Sequence, residues 1–200
     1  MMRIQTEIQI IKSVFSNPAR AIQILDSNPS KVRAAFYLVF CAAFFSLNYL
    51  YGTYIGNPAA YWIVAFPAIF TYNLVTLLMM FVVLTLAGIF LGSGDYPAKS
   101  LFRNLMVVVL IPHSLLILAG IVIGIVSAIT KQFYIGIAAM EYGVILATAF
   151  AATLSAFTLN RTRNVHEVLS MIVGIITSVV FIILALFLFL YIYANVVYSL

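Results

Sequence analysis

"AAFYLVFCAAFFSLNYLYGTYIGNPAAYWIVAFPAIFTYNLVTLLMMFVVLTLAGIFLGSG", residues 34–94, contains no Asp, Glu, Lys or Arg. One membrane-crossing helix needs about 20 apolar residues, so the stretch is too long for a single pass. Its break is "YGTYIGNPAAY", where Gly52, Gly56 and Asn57-Pro58 are turn residues. The reading gives one span over 34–55 and a second over 61–91. The rest of the chain has the same character. It is 65% hydrophobic and 8% charged, whereas soluble domains carry about 25% charged residues. No water-facing surface can be built from this composition, and an integral membrane protein of one domain is expected.

Working outward, "GSGDYPAKSLFR" holds Asp95, Lys99 and Arg103 and reads as a polar loop. Further spans follow over 104–128, 134–159 and 168–194, separated by a short turn at Lys131 and by "NRTRNVHE". The expected fold class is all-α: a five-helix transmembrane bundle, 34–200, preceded by a short helical segment, 1–33. No cleavable signal peptide is expected, because the first apolar run begins only near Ala34 and is long enough to span. The single cysteine, Cys41, excludes an internal disulfide and reads as a small core residue.

Five passes place the two termini on opposite sides. Arg3, Lys12, Arg20, Lys31, Arg33, Lys99, Arg103, Arg161 and Arg163 then share one side, against Lys131 alone on the other. Positive residues collect on the cytoplasmic side, so the N-terminus is expected in the cytoplasm of a cell membrane and the C-terminus outside. Tyr49, Tyr51, Tyr54, Tyr61, Trp62, Tyr134, Tyr191, Tyr193 and Tyr198 gather at the expected outer interface. The net charge of +5 is accounted for by this orientation without nucleic acid. The basic side is a candidate contact face for anionic lipid headgroups or a protein partner; its alternative is plain topology signalling.

In the first segment Ile4, Ile8, Ile11 and Phe15 recur at helical spacing, with Gln5, Gln9, Lys12 and Ser16 opposite. Thr6 and Gln9 have the spacing of a capping box, which suggests a helix start at Thr6. Asn17-Pro18 and Asn28-Pro29 each read as an N-cap followed by proline at the first helical position. Two short helices are therefore expected, over 5–16 and 18–26, with the second Asn-Pro opening the first span. An apolar face with basic flanks suits the membrane interface. Such a segment either braces and orients the bundle or senses lipid or a partner.

The chain also resembles the Yip1 domain family. The resemblance lies in "VFSNPARAIQILDSNPSKVRAA" (14–35), "GSGDYPAKSLFRNLMVVVLIP" (92–112) and "VHEVLS" (165–170). The matching positions of prokaryotic members are Phe15 and Pro18 before the first span, Gly92, Gly94 and Tyr96 in a glycine-containing loop, and Pro112 within the third span. The resemblance implies five spans with the N-terminus inside. It implies no defined activity. The Asp-Leu-Tyr-Gly-Pro motif of the eukaryotic members, which contact Rab GTPases, is missing here.

Motifs for catalysis or cofactors are lacking: the sequence has no P-loop, no Gly-x-Gly-x-x-Gly, no His-Glu-x-x-His and no cysteine pair. No metal, cofactor or enzymatic activity is expected. His166 falls in a charged loop and is expected to be solvated. Chemistry is left to polar residues inside the spans. A rise of 1.5 Å per residue puts Asn73, His113 and Glu141 near the middle of a hydrocarbon core about 30 Å thick. Pro67 and Pro112 are expected to kink their helices beside Asn73 and His113. Convergence of the three would form either a polar clamp that fixes helix register or the lining of an ion or solute path. Finally, Gly143, Ala147, Ala151 and Ser155 recur every fourth residue, and Gly120 and Gly124 do so in the preceding span. Such faces bring helices close together, within one chain or between two copies. Gly174 and Ser178 are candidates for seating the last span.

Overall fold

The computed structural model describes residues 2–53 and 59–197. These residues form helices joined by short connections, with no strand among them. The elements are α1 (Met2–Ser16), α2 (Pro18–Ser27), α3 (Lys31–Thr53), α4 (Ala59–Leu91), α5 (Ala98–Ile129), α6 (Phe133–Arg163) and α7 (Glu167–Val197). Three stretches are long and apolar enough to cross a membrane: Ala65–Leu91, Ala98–Ser127 and Glu167–Leu184. The chain is thus an all-helical membrane protein.

The five long helices stand side by side. Their shared end, here called the base, collects the starts of α3, α5 and α7 and the ends of α4 and α6. Arg163 at the end of α6 donates to Gly88 and Ile89 of α4 and to the carbonyl of Tyr96, just ahead of α5. Asp26, five residues before α3, accepts from Asn104 of α5. One further level is fixed by Phe45, whose ring lies 5.8 Å from His113 of α5 and 6.1 Å from Phe181 of α7.

Helix α5 is the axis of the molecule. Every residue from Asn104 to Ser114 is buried. A helix apolar on all sides belongs in a protein core or in a membrane, and over this stretch α3, α4, α6 and the α1–α2 pair cover it. Above Ser114 its exposed residues are apolar ones such as Leu118, Val122 and Ile125.

Helix starts follow side-chain caps more closely than the sequence reading allowed. The Asn17 side chain accepts from the Arg20 amide at 3.1 Å, and Pro18 occupies the first turn, as expected. A cap of this kind contributes about 1 kcal/mol. The second Asn-Pro pair behaves differently. Asn28 closes α2, its amide donating to the Ile24 carbonyl at 3.0 Å. Ser30 instead accepts from the Arg33 amide at 3.2 Å, and α3 begins at Lys31. Nor does α1 start at Thr6, because it is helical from Met2.

The long helices also extend past the expected spans at the base, α5 by six residues before Asn104 and α6 by four after Leu159. Charged residues there had marked loops, but Arg103 and Arg163 fold back onto the protein while Lys99 and Arg161 stay exposed. The helices run through Pro67 and Pro112 without interruption.

Candidate functional site

The polar residues form two groups, one at mid-depth and one at the base. At mid-depth Asn73 and His113 are both buried. Asn73 donates from Nδ2 to Ser46 Oγ at 3.1 Å, and Ser46 itself donates to the Ala42 carbonyl. His113 Nδ1 lies 2.9 Å from the Val109 carbonyl, which can only accept, so Nδ1 carries the proton. Its ring faces Phe45, the residue beside Ser46. The two residues therefore approach successive positions of α3 but have separate partners. The Glu141 side chain lies outside the described residues, so its meeting with them is not part of this structure.

Pro112 precedes His113 and Ser114 in α5. Proline cannot donate to the carbonyl four residues back. Around it, His113 and Ser114 turn their side chains onto the carbonyls of Val109 and Leu110, and Cys41 Sγ adds a contact to Ser114 Oγ at 3.1 Å. Cys41 itself is fully buried. The cluster lies among buried apolar side chains of α3 and α5, including Phe45, Val109, Leu110 and Ile111.

The base holds a larger network that the sequence reading did not assemble. Asp26 Oδ1 accepts from the Tyr96 hydroxyl, from Asn104 Nδ2 at 2.9 Å and from Arg103 Nη2 at 3.5 Å. Asn104 Nδ2 also donates to the Tyr96 oxygen at 2.6 Å. Burial, and then the hydrogen bond to Asp26 and its charge, push the Tyr96 phenol well above its usual value. A second ion pair joins α1 to α3: Arg33 meets Glu7 at 2.7 Å and 2.8 Å through Nη2 and Nε. Two acids therefore pin the first segment to the bundle. Asp26 is the one acid of α2, flanked by basic neighbours; that isolation was the signal available for it.

The nine basic residues consequently divide. Arg33, Arg103 and Arg163 are structural, held by Glu7, Asp26 and backbone carbonyls. Lys12, Arg20, Lys31, Lys99 and Arg161 are exposed. The Arg3 side chain lies outside the described residues. His166 is exposed, as expected.

The glycine loop packs against the end of α6. Gly94 donates its amide to the Arg163 carbonyl at 3.0 Å, and a Cβ on Gly92 would collide with that same carbonyl. Among the stripe residues, Gly120, Gly124, Ala147, Ala151 and Ser155 are buried, which fits close packing of α5 on α6 within the chain. Among the described residues, a Cβ on Gly143 would meet Leu116 O at 3.8 Å. Of the expected outer aromatics, Tyr191 is described and is exposed. No metal-binding group of His, Cys, Asp or Glu occurs among the described residues. Comparison with known proteins finds no matching family model, curated relative or solved structure.

Proposed function

We propose that this protein is a non-enzymatic membrane scaffold or adaptor of Yip1-like type, acting through lipid, a partner protein or self-association. It crosses a cell membrane five times, with the base and N-terminus in the cytoplasm and the C-terminus outside. The observation that carries the reading is that the described polar residues at mid-depth, Asn73 and His113, are buried and already partnered. These are the polar groups best placed for a path, and both are already engaged, Asn73 by Ser46 of the neighbouring helix α3 and His113 by the backbone of its own helix α5. They act as a clamp on helix register, and exchange with the surroundings falls to the exposed base.

The Yip1-like assignment is supported by the roles its motif positions take here. Pro18 opens a helix, Gly92 and Gly94 admit the end of α6, and Tyr96 ties that loop to the first segment. The amphipathic character of α1 fits the same picture, since Ile4, Ile8 and Phe15 remain exposed while Ile10 and Val14 are buried.

Ion and proton flux in proteoliposomes tests the reading, comparing wild type with Glu141→Gln and His113→Leu. No selective flux is expected from any of them. Selective flux from the wild type that falls in Glu141→Gln would establish a small-ion channel or transporter and overturn the scaffold.

A further inference from the structure

The first segment does not lie flat at the base. Three contacts fix its attitude. Glu7 pairs with Arg33 near the start of α3. Phe15 packs edge-on against Phe150 of α6, ring centres 6.1 Å apart. Asp26 returns to Asn104 near the start of α5. Phe150 is thirteen residues from Arg163, about 20 Å along α6. It is also as far in sequence from the α5–α6 turn at Lys131 as Pro112 is, which puts it opposite Pro112 in this antiparallel pair. So α1 rises from the level of Arg33 to that of Pro112, about 12 Å for the eight residues from Glu7 to Phe15. Helix α2 descends again to Asn104. The pair is an upright hairpin with its elbow at Asn17-Pro18.

The depth of that elbow can be read from α7. Its exposed apolar face runs from Val168 to Tyr191, about 35 Å, enough to cover a hydrocarbon core of about 30 Å. The middle of that face is at Val179 and Val180, next to Phe181, which marks the level of Phe45 and His113. The elbow therefore stands near the bilayer midplane and the hairpin fills the leaflet on the base side, whose hydrocarbon is about 15 Å deep.

An upright hairpin in lipid presents a chemical problem at its outer surface. Ile4, Ile8 and Phe15 are exposed and suit acyl chains. Lys12 and Arg20 are exposed too, each within about a turn and a half of the elbow. Cations at this depth are costly without an anion. Both acids of the first segment are already engaged, Glu7 by Arg33 and Asp26 by Arg103, Tyr96 and Asn104. Among the described residues neither Lys12 nor Arg20 takes part in an ion pair. The anion that this environment supplies is the phosphate of a phospholipid. Lys and Arg attract anionic headgroups, and their long side chains reach toward the headgroup plane.

We propose that the α1–α2 hairpin is re-entrant and that Lys12 and Arg20 hold an anionic phospholipid with its phosphate drawn below the headgroup plane, its chains against Ile4, Ile8 and Phe15. The inference rests on the membrane reading above only for placing the bundle in a bilayer, and it names the lipid site of the proposed scaffold.

The test uses the full chain with Cys41→Ala, carrying a bimane fluorophore at Ser16→Cys near the elbow or at Ser27→Cys near the base. The protein is reconstituted in phosphatidylcholine vesicles containing phosphatidylglycerol. Lipids brominated deep in the acyl chain quench the Ser16 label more strongly than the Ser27 label if the hairpin stands upright. Brominated phosphatidylglycerol quenches the Ser16 label several-fold better than brominated phosphatidylcholine if the site exists. Lys12→Gln with Arg20→Gln abolishes that preference and leaves the depth and the thermal midpoint unchanged. A Ser16 label no deeper than the Ser27 label overturns the upright hairpin. A deep label with no phosphatidylglycerol preference, or one that survives the double variant, overturns the lipid site. Neither result bears on the flux measurement, so this proposal and the scaffold reading fail separately.

Discussion

Tyr96 connects three parts of the base through its hydroxyl and its carbonyl. It donates to Asp26 of α2 and accepts from Asn104 of α5, while its own carbonyl takes Arg163 of α6. Ionising the phenol would place a second negative charge against Asp26 and remove the donor, so the folded protein resists it. The phenol is held above its usual 10.0 in the fold, first by burial and then by Asp26. The unfolded chain ionises near the usual value. A group whose folded value is raised stabilises the protein below its unfolded value and loses that contribution as pH climbs through the interval. The thermal midpoint in detergent is therefore expected to fall above about pH 10, and Tyr96→Phe should flatten that alkaline fall while lowering the midpoint at neutral pH. An alkaline fall of the same steepness in Tyr96→Phe would show that the phenol is not its source. Tyr96 was singled out in the sequence only as a motif position. Its bond to Asp26 joins residues seventy apart, and pairing at that range leaves no periodic trace.

Among the helices, the tightest approach is that of α7 on α6. A Cβ on Gly174 would stand 2.5 Å from the Ala152 carbonyl oxygen. Backbone cannot swing aside as a side-chain tip does, so the helices must part. Gly174→Ala is expected to cost about 1–3 kcal/mol through overpacking. Gly143→Ala, which among the described residues meets an ordinary contact at 3.8 Å, is expected to be neutral or to gain up to about 1 kcal/mol from helix propensity. Thermal unfolding of the two variants in detergent measures both, and equal effects would contradict the assigned packing. The contrast shows which part of the packing was legible. The four-residue spacing of small residues suggested a close-packed face, but spacing does not say which glycine meets backbone. The length and apolarity of the helices were likewise readable, because a lipid-facing surface must be apolar along its whole length. Their base ends were not. Lys99, Arg103, Arg161 and Arg163 look like loop residues in a hydropathy pattern, and only the folded chain reveals carbonyls waiting for Arg163. The same holds for the first segment, whose helices were visible from Asn17-Pro18 while their upright stance depends on Glu7, Phe15 and Asp26 each finding a distant partner.

At the scale of the whole molecule, both proposals depend on which face of the membrane the base occupies. The charge argument is unequal on the two ends. The base carries the exposed Lys31, Lys99 and Arg161, and the hairpin in the leaflet on its side adds Lys12 and Arg20, while the opposite turn carries Lys131, left-handed at φ 58. Cytoplasmic loops hold the excess of lysine and arginine, and the three structural arginines add to the count without altering the sign. Two exposed positions report the two ends: Ser93, in the loop before α5, and Gln132, in the turn after it. In a Cys41→Ala background, Gln132→Cys in intact cells is expected to react with a membrane-impermeant maleimide. Ser93→Cys is expected to react only after the membrane is opened. The opposite pattern would invert the protein and place the re-entrant hairpin in the outer leaflet. Reaction of both in intact cells would mean that α5 does not cross. Its buried stretch from Asn104 to Ser114 would then be the core of a membrane-surface domain, and the depth assigned to Phe15, Lys12 and Arg20 would have no lipid to refer to.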